Sequence, residues 1–337
     1  MLLGDREPIE TDVRPVSPFR LPRRNGSDRI VRRHGSGLRR LLVLRGAPVV
    51  VSVRPSGSGS YRFRAEPVPP ETVSGPGSDG LVEADVERLE EAIDRFRFSL
   101  GIDEDMTPFR DAFIDDPLLG PAIRRQIEAR SSRRADPWEA LAWAVTEQLI
   151  AYRRAAAIQR RMIRRWGLSA DVDSPAGGVG RHGDEERLWT APSPDVLAGA
   201  SPAELEACDL SARRALALIR CAREVALGRV DLLEPGDDRR LLAIPEIGPW
   251  TVACLALRGR GDPDALLAGD LGHVKLVGAL AGLGRPAEVA EVEAFYAPYE
   301  PFRGIAGDFL LAAQGRSFRG PGNQARIRSF ARPARAA

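Results

Sequence analysis

Apolar residues recur along most of this chain with helical spacing, and along one early stretch with the spacing of strands. Val82, Val86, Leu89, Ile93 and Phe96 follow one another at steps of four, three, four and three, which predicts an amphipathic helix with Glu and Arg on its other face. Asp136-Pro137-Trp138-Glu139 joins a capping Asp, a Pro in the first helical position and a Glu three residues after the cap. A helix therefore starts there and carries Leu141, Val145 and Leu149. Ser193-Pro194 and Ser201-Pro202-Ala203-Glu204 repeat the start signal, and Ser211 opens a further run with Leu216 and Ile219. Ahead of all these, LRRLLVLRG, APVVVSVRP and SYRFRAE are β-branched or alternating segments broken by Gly, Pro and Ser, so they predict antiparallel strands.

These patterns divide the chain. Residues 1–27 are rich in Pro, Arg and Ser without a period, and a poorly ordered arm is expected. A small β-rich domain follows over 28–70, a Pro/Gly linker over 71–80, an all-α region over 81–314 and a basic, disordered tail over 315–337. Gly178-Val179-Gly180-Arg181-His182-Gly183 satisfies GxGxxG in letters only. No strand precedes it and no apolar helix begins at its third glycine, so it reads as a surface insertion.

Composition narrows the setting. With 337 residues and 43% hydrophobic content the chain can bury a sizeable core. It has no apolar run of roughly 18 residues, and MLLGDREPIE lacks the apolar stretch of a signal peptide, so a cytoplasmic protein is expected. Cys208, Cys221 and Cys254 are widely spaced in apolar helical patterns, which fits buried thiols and cannot build a four-cysteine cluster. The net charge of +2 hides basic ends: arginines crowd residues 20–64 and the stretch after Gly315. They suit either phosphate contact or a solvated surface. Lys275 is the only lysine.

The candidate chemistry lies in Leu241–Arg258, LLAIPEIGPWTVACLALR, and in the Asp270 that follows it. Leu241, Leu242 and Ile244 lead in, Pro245 stops the helix, and Gly248-Pro249 turns the chain into a second apolar helix from Trp250. Amides at the start of that helix have no internal partner, so the hairpin could hold a phosphate or could simply be an αα-hairpin packed into a core. Asp270 stands where a helix N-cap belongs, so alone it reads as a cap as readily as a catalytic group.

Taken together, these stretches resemble the helix-hairpin-helix base-excision DNA glycosylases, and among them the 3-methyladenine DNA glycosylase II branch. The resemblance is carried by IPEIGPWTVACLALRG (244–259) and DALLAGDLGHVKLVG (264–278), and supported by residues 136–167, 193–232 and YEPFRGIAGDFLLAA (299–313). It covers roughly 80–314 and implies a mainly α fold of two helical subdomains behind a small antiparallel β-rich domain.

It further implies an activity: an alkylated purine is flipped out of double-stranded DNA and its N-glycosidic bond hydrolysed, with Asp270 as the catalytic carboxylate. Trp250, Tyr299 and Phe302 would line the base pocket, Pro245, Ile247, Gly248 and Thr251 would meet the DNA backbone, and Gln148 with Leu149 would fill the gap in the duplex. Bifunctional relatives place a nucleophilic lysine where this chain has Trp250, so a glycosylase without strand cleavage is expected. No cofactor is implied beyond a monovalent cation at the hairpin backbone. A monomer with no membrane association is expected. Three departures bear on substrate preference: Glu246 replaces the hairpin's first glycine, Cys254 a pocket aromatic, and Tyr299 and Phe302 two tryptophans. Two other readings stay open, a weakly catalytic DNA-binding protein that senses damage and a glycosylase for uracil or an oxidised purine.

Overall fold

Alternation between Gly37 and Pro67 is realised as antiparallel pairing. In the computed structural model, which describes residues 7–23, 25–171 and 187–317, five strands form one sheet: β1 (Ile9–Val13), β2 (Arg32–His34), β3 (Gly37–Leu44), β4 (Ala47–Gly57) and β5 (Ser60–Pro67). Their order is β1-β5-β4-β3-β2. Leu42 faces Val49, and Val53 lies between Leu38 and Phe63. These side chains bury one face of the sheet against α1 (Val86–Leu100), whose Leu89, Ile93 and Phe96 share their core. Leu41 and Val50, on the opposite face, pack on a three-stranded sheet of β6 (Val73–Ser74), β7 (Ser169–Asp171) and β8 (Arg187–Trp189).

Four expectations are corrected here. The arm over 1–27 is not wholly disordered, because Ile9–Val13 pairs along β5. The linker over 71–80 contributes β6, and the region read as all helix contains β7 and β8. Strands of two or three residues carry no readable period. The boundary also falls late, since α1 packs with the sheet; Val82 and Val86 are exposed and only the later part of its apolar face is buried.

The remaining helices are α2 (Thr107–Phe113), α3 (Gly120–Arg125), α4 (Pro137–Glu147), α5 (Tyr152–Trp166), α6 (Pro194–Ala198), α7 (Pro202–Glu206), α8 (Ala212–Ala226), α9 (Asp238–Leu242), α10 (Pro249–Leu255), α11 (Leu271–Leu280), α12 (Val289–Tyr296) and α13 (Arg303–Ser317). They build two cores. One gathers α4, α5 and α8 with the α9–α10 hairpin, and the other α2, α3, α11, α12 and α13. Asp136 caps α4 through the Trp138 amide, and Ser201 with Glu204 closes a capping box on α7. Glu139 is different: it is buried and meets Arg40 of β3, tying sheet to helices instead of closing the α4 cap.

The GxGxxG segment and residues 318–337 lie outside the described residues. Arg62 and Arg64 are paired with Glu10, Asp12 and Glu66 across β1 and β5, so that part of the N-terminal charge is balanced on the sheet. Among the described residues no helix is long and apolar enough to cross a membrane.

A second tie crosses the domains at Asp28, which is 2% exposed. Its carboxylate accepts from Arg134 Nη1 at 2.6 Å, Trp143 Nε1 at 3.0 Å and the Ile30 amide at 3.2 Å. Burial disfavours the charge, but Arg134 and these donors outweigh it and hold the carboxyl below its usual range. The stabilisation is therefore present above the unfolded value of about 4 and is lost as pH falls through the lower folded value. Asp28→Asn should cost about 3 kcal/mol near neutral pH by leaving Arg134 unpaired. Urea titration will read this as a lower midpoint, and the gap to wild type should narrow in acid; an unchanged midpoint would show that Arg134 is satisfied without Asp28.

Candidate active site

The chain reverses between α9 and α10 over Ala243–Gly248. Ile244 donates to the Leu241 carbonyl at 2.9 Å and Ile247 to that of Ile244 at 3.0 Å, while the buried Ile247 side chain pins the turn into the first helical core. Glu246 sits at φ 74°, the left-handed region that favours glycine. Its carboxylate lies 3.7 Å from Arg213 on the surface. Thr251 donates to the Gly248 carbonyl at 3.0 Å, so the Gly248 and Trp250 amides stand ahead of the helical ladder. Past Leu255 the helix widens into a π-turn over Ala256–Arg260, which carries Arg258, and ends at Gly261 with φ 76°.

Beside the hairpin lies a cavity of about 770 Å³, lined among others by Trp250, Asp270, Glu147, Arg258, Lys275 and Leu149. That size falls within the roughly 300–1,000 Å³ of small-molecule sites. Asp270 caps α11: its Oδ1 accepts from the Gly272 amide at 2.7 Å. The other oxygen has no hydrogen-bond partner among the described residues. Capping thus fixes the carboxylate and leaves one oxygen available, so the cap and the reactive-group readings are compatible. Gly272 is required for this approach, since a Cβ there would lie 2.9 Å from Asp270 Oδ1 and 3.0 Å from Leu311.

Trp250 is half-buried over Cys254, Ala144, Leu257 and Leu267, and its buried indole N–H has no partner among the described residues. Leu149 is 85% exposed at the rim and holds φ 54°. Such backbone strain on a non-glycine residue costs on the order of 1 kcal/mol or more and persists only where surroundings impose it. Arg214 imposes it, donating to the carbonyls of Thr146 at 2.9 Å and Gln148 at 3.3 Å.

Several expected assignments are revised. Gln148 is committed to the hairpin, donating to the Glu246 carbonyl at 2.8 Å and to Thr251 Oγ1 at 3.0 Å, which leaves Leu149 as the exposed member of the pair. Thr251 is buried and Ile247 faces the core, so of the four hairpin residues only Pro245 and Gly248 retain surface. Tyr299 and Phe302 do not line the Asp270 cavity. They pack in an aromatic cluster, Tyr299 5.3 Å from Phe113 and Phe302 5.7 Å from Phe109 between ring centroids. Cys254 is fully buried behind Trp250. Two hairpin carbonyls already accept protein donors, and no group of acidic, His or Cys side chains fit for a metal gathers among the described residues.

Sequence reasoning missed three lining residues. Tyr152 stacks on Trp143 at 5.7 Å and shares a 2.6 Å hydrogen bond with Ser27 of the N-terminal domain. Glu147 ends α4 immediately before Gln148; burial raises its carboxyl pKa, Arg258 and Arg134 counter that, and Asp270 adds to it. For Arg258 burial opposes the charge, and Asp308, Glu147 and Asp270 more than restore it. Asp308 lies 3.9 Å from its guanidinium, and the buried Arg258 Nε has no partner among the described residues. Nearby His273 is held below its ordinary pKa by burial, against the pull of Asp270 and Asp308, and its Nδ1 lies 3.1 Å from the Tyr296 hydroxyl. A carboxylate within an apolar run, as in LAWAVTE, was the one signal available for Glu147.

No family model matches the chain. A probable bifunctional transcriptional activator/DNA repair enzyme AlkA of Mycobacterium tuberculosis is 31% identical over 235 residues, covering 68% of this chain and 44% of that protein. The DNA-3-methyladenine glycosylase 2 of Escherichia coli is 30% identical over 173 residues, 49% of this chain and 57% of its own length. The chain thus spans about half the length of these curated relatives. In structure, a 3-methyladenine DNA-glycosylase from Archaeoglobus fulgidus superposes with a TM-score of 0.71 at 18% identity, over 91% of this chain and 99% of that one. In sequence the chain is thus similar to curated proteins named AlkA and DNA-3-methyladenine glycosylase 2, and in fold to a 3-methyladenine DNA-glycosylase, all of which match the helix-hairpin-helix glycosylase resemblance read from the sequence.

Proposed function

We propose that this protein removes alkylated purines from double-stranded DNA by hydrolysing the N-glycosidic bond and leaves the strand intact. The observation that carries this reading is the capped Asp270 with one oxygen available inside a Trp250-walled cavity, at whose rim an exposed Leu149 is held in strained backbone. Relatives named for 3-methyladenine glycosylase activity support the substrate class.

Leu149 enters the duplex where the damaged nucleotide leaves the stack, and the flipped base lies against Trp250. An alkylated purine is cationic, so the indole face attracts it and it departs as a neutral molecule without needing a proton. Bond breaking leaves positive charge on the sugar, which the Asp270 carboxylate stabilises while orienting water toward C1′. Its Gly272 cap prevents rotation, so the carboxylate need not reorganise as charge develops. The hairpin positions the duplex: the Gly248 and Trp250 amides meet a phosphate without reading sequence. Trp250 occupies the position that would need an amine for strand cleavage and offers no nucleophile.

Asp270→Asn should lower abasic-site formation by about 10²-fold or more on a duplex bearing one alkylated adenine. Equal rates for the variant and wild type would end the enzymatic reading. Product strands should run at full length until treated with alkali, and borohydride should trap no protein–DNA adduct; a trapped adduct, which Lys275 at the cavity could form, would overturn the monofunctional assignment. Leu149→Ala should slow excision about tenfold from a paired duplex. The same variant should act normally on a single-stranded oligonucleotide, and equal losses on both substrates would remove Leu149 from the wedge role.

A further inference from the structure

The Asp270 cavity holds a second carboxylate that the mechanism above leaves idle. Glu147 ends α4 and lines the cavity together with Asp270, Trp250 and Arg258. Among the described residues its carboxylate accepts no hydrogen bond and forms no ion pair within 4 Å; the groups around it act through charge alone. The side-chain amide N–H groups of its neighbour Gln148 are taken up by the hairpin. The indole N–H of Trp250 and Nε of Arg258 are likewise without partners. Buried polar groups rarely go unpaired in this way, and two beside one cavity, next to a half-buried carboxylate, mark a place where a polar ligand would complete the bonding.

A flipped purine offers ring nitrogens to such a wall. Resting on the glycosylase reading, we infer that Glu147 is a general acid that protonates the departing base when that base carries no positive charge of its own. A neutral purine would otherwise leave as an anion, at a much higher barrier. In the step proposed, protonated Glu147 gives its proton to a ring nitrogen as the bond from C1′ to the base breaks, and the bonding electron pair leaves with the base, which departs neutral. Glu147 is left as a carboxylate facing Arg258. Water adds to C1′ and releases a proton to solvent, from which Glu147 regains its own. Asp270 stays ionised throughout, so two carboxylates on one cavity divide the acid and electrostatic roles.

The surrounding charges suit this division. Arg258, Arg134 and Lys275 are the cations facing Glu147, and Asp270 and Glu246 the anions. Burial, reinforced by Asp270, favours the protonated acid against the two arginines, and raises the pKa above the ordinary carboxylate range. Release of a neutral base should therefore be fastest in acid and fall as pH rises through the Glu147 pKa. Release of a cationic base should show no such limb.

The test measures single-turnover excision from two duplexes, one bearing cationic 7-methylguanine and one bearing neutral hypoxanthine, across the acid to neutral range. Glu147→Gln should lower the ratio of neutral-base to cationic-base rates by about 10²-fold and abolish the falling limb. Glu147→Asp, which keeps an acid, should restore part of the ratio and a limb. Equal losses on both duplexes, or an unchanged ratio, would make Glu147 a structural residue and overturn the inference. Wild-type release of 7-methylguanine without hypoxanthine would overturn it while leaving the glycosylase reading intact, whereas release of neither base would defeat that reading itself.

Discussion

How closely α10 lies against α4 governs the rest of the site. Gly259 sits where a Cβ would fall 3.1 Å from both the Ala140 Cβ and the Pro137 Cα, so the two helices meet nearly backbone to backbone. Ala144 and Cys254 continue the seam with small side chains. Because the approach is fixed, so are the groups at its ends. Glu147, Gln148 and Leu149 leave α4 on the side where Trp250 begins α10, and the π-turn that closes the second helix aims Arg258 at the same cavity. The Arg134 amide donates to the Arg258 carbonyl at 2.8 Å and holds that turn to the segment before α4. Packing this tight transmits displacement without absorbing it.

The N-terminal sheet adds to this frame. Arg40 meets Glu139 on α4, and Asp28 grips Arg134 and Trp143 just outside the cavity. Arg134 lies 4.3 Å over the Trp143 ring, and Trp143 stacks on Tyr152 at the cavity rim. A line of contacts thus runs from the first domain to the cavity wall, with the exposed Leu149 only three positions before Tyr152.

Much of this was legible in the sequence. β3, β4 and β5 follow alternation, and the caps at Asp136, Ser193 and Ser201 stand where the start signals put them, because local hydrogen bonds decide both. The hairpin and Asp270 were readable for the same reason: a Pro, a Gly and a capping Asp leave few alternatives to the backbone. What could not be read depends on tertiary geometry. Glu139 looked like part of a capping box and instead meets an arginine 99 residues away. Tyr299 and Phe302 have the chemistry of a base pocket, yet they fill the core between α2 and the start of α13, where apolar burial outweighs any pattern. Glu147 gave only a weak sign, since which cavity a carboxylate enters is set by how the helix packs and not by its neighbours in sequence.

The three cysteines, first noticed for what they could not build, end as a property of the surface. Cys208, Cys221 and Cys254 are all free and buried; burial raises the pKa of each, that of Cys221 to about 12. Thiolates, the softest nucleophiles a protein offers, are thereby withheld from solvent. An electrophile able to methylate a purine would meet no sulfur of cysteine on the described exterior. A protein proposed to take alkylated bases thus presents no cysteine thiol on its described exterior to the reagents that create them.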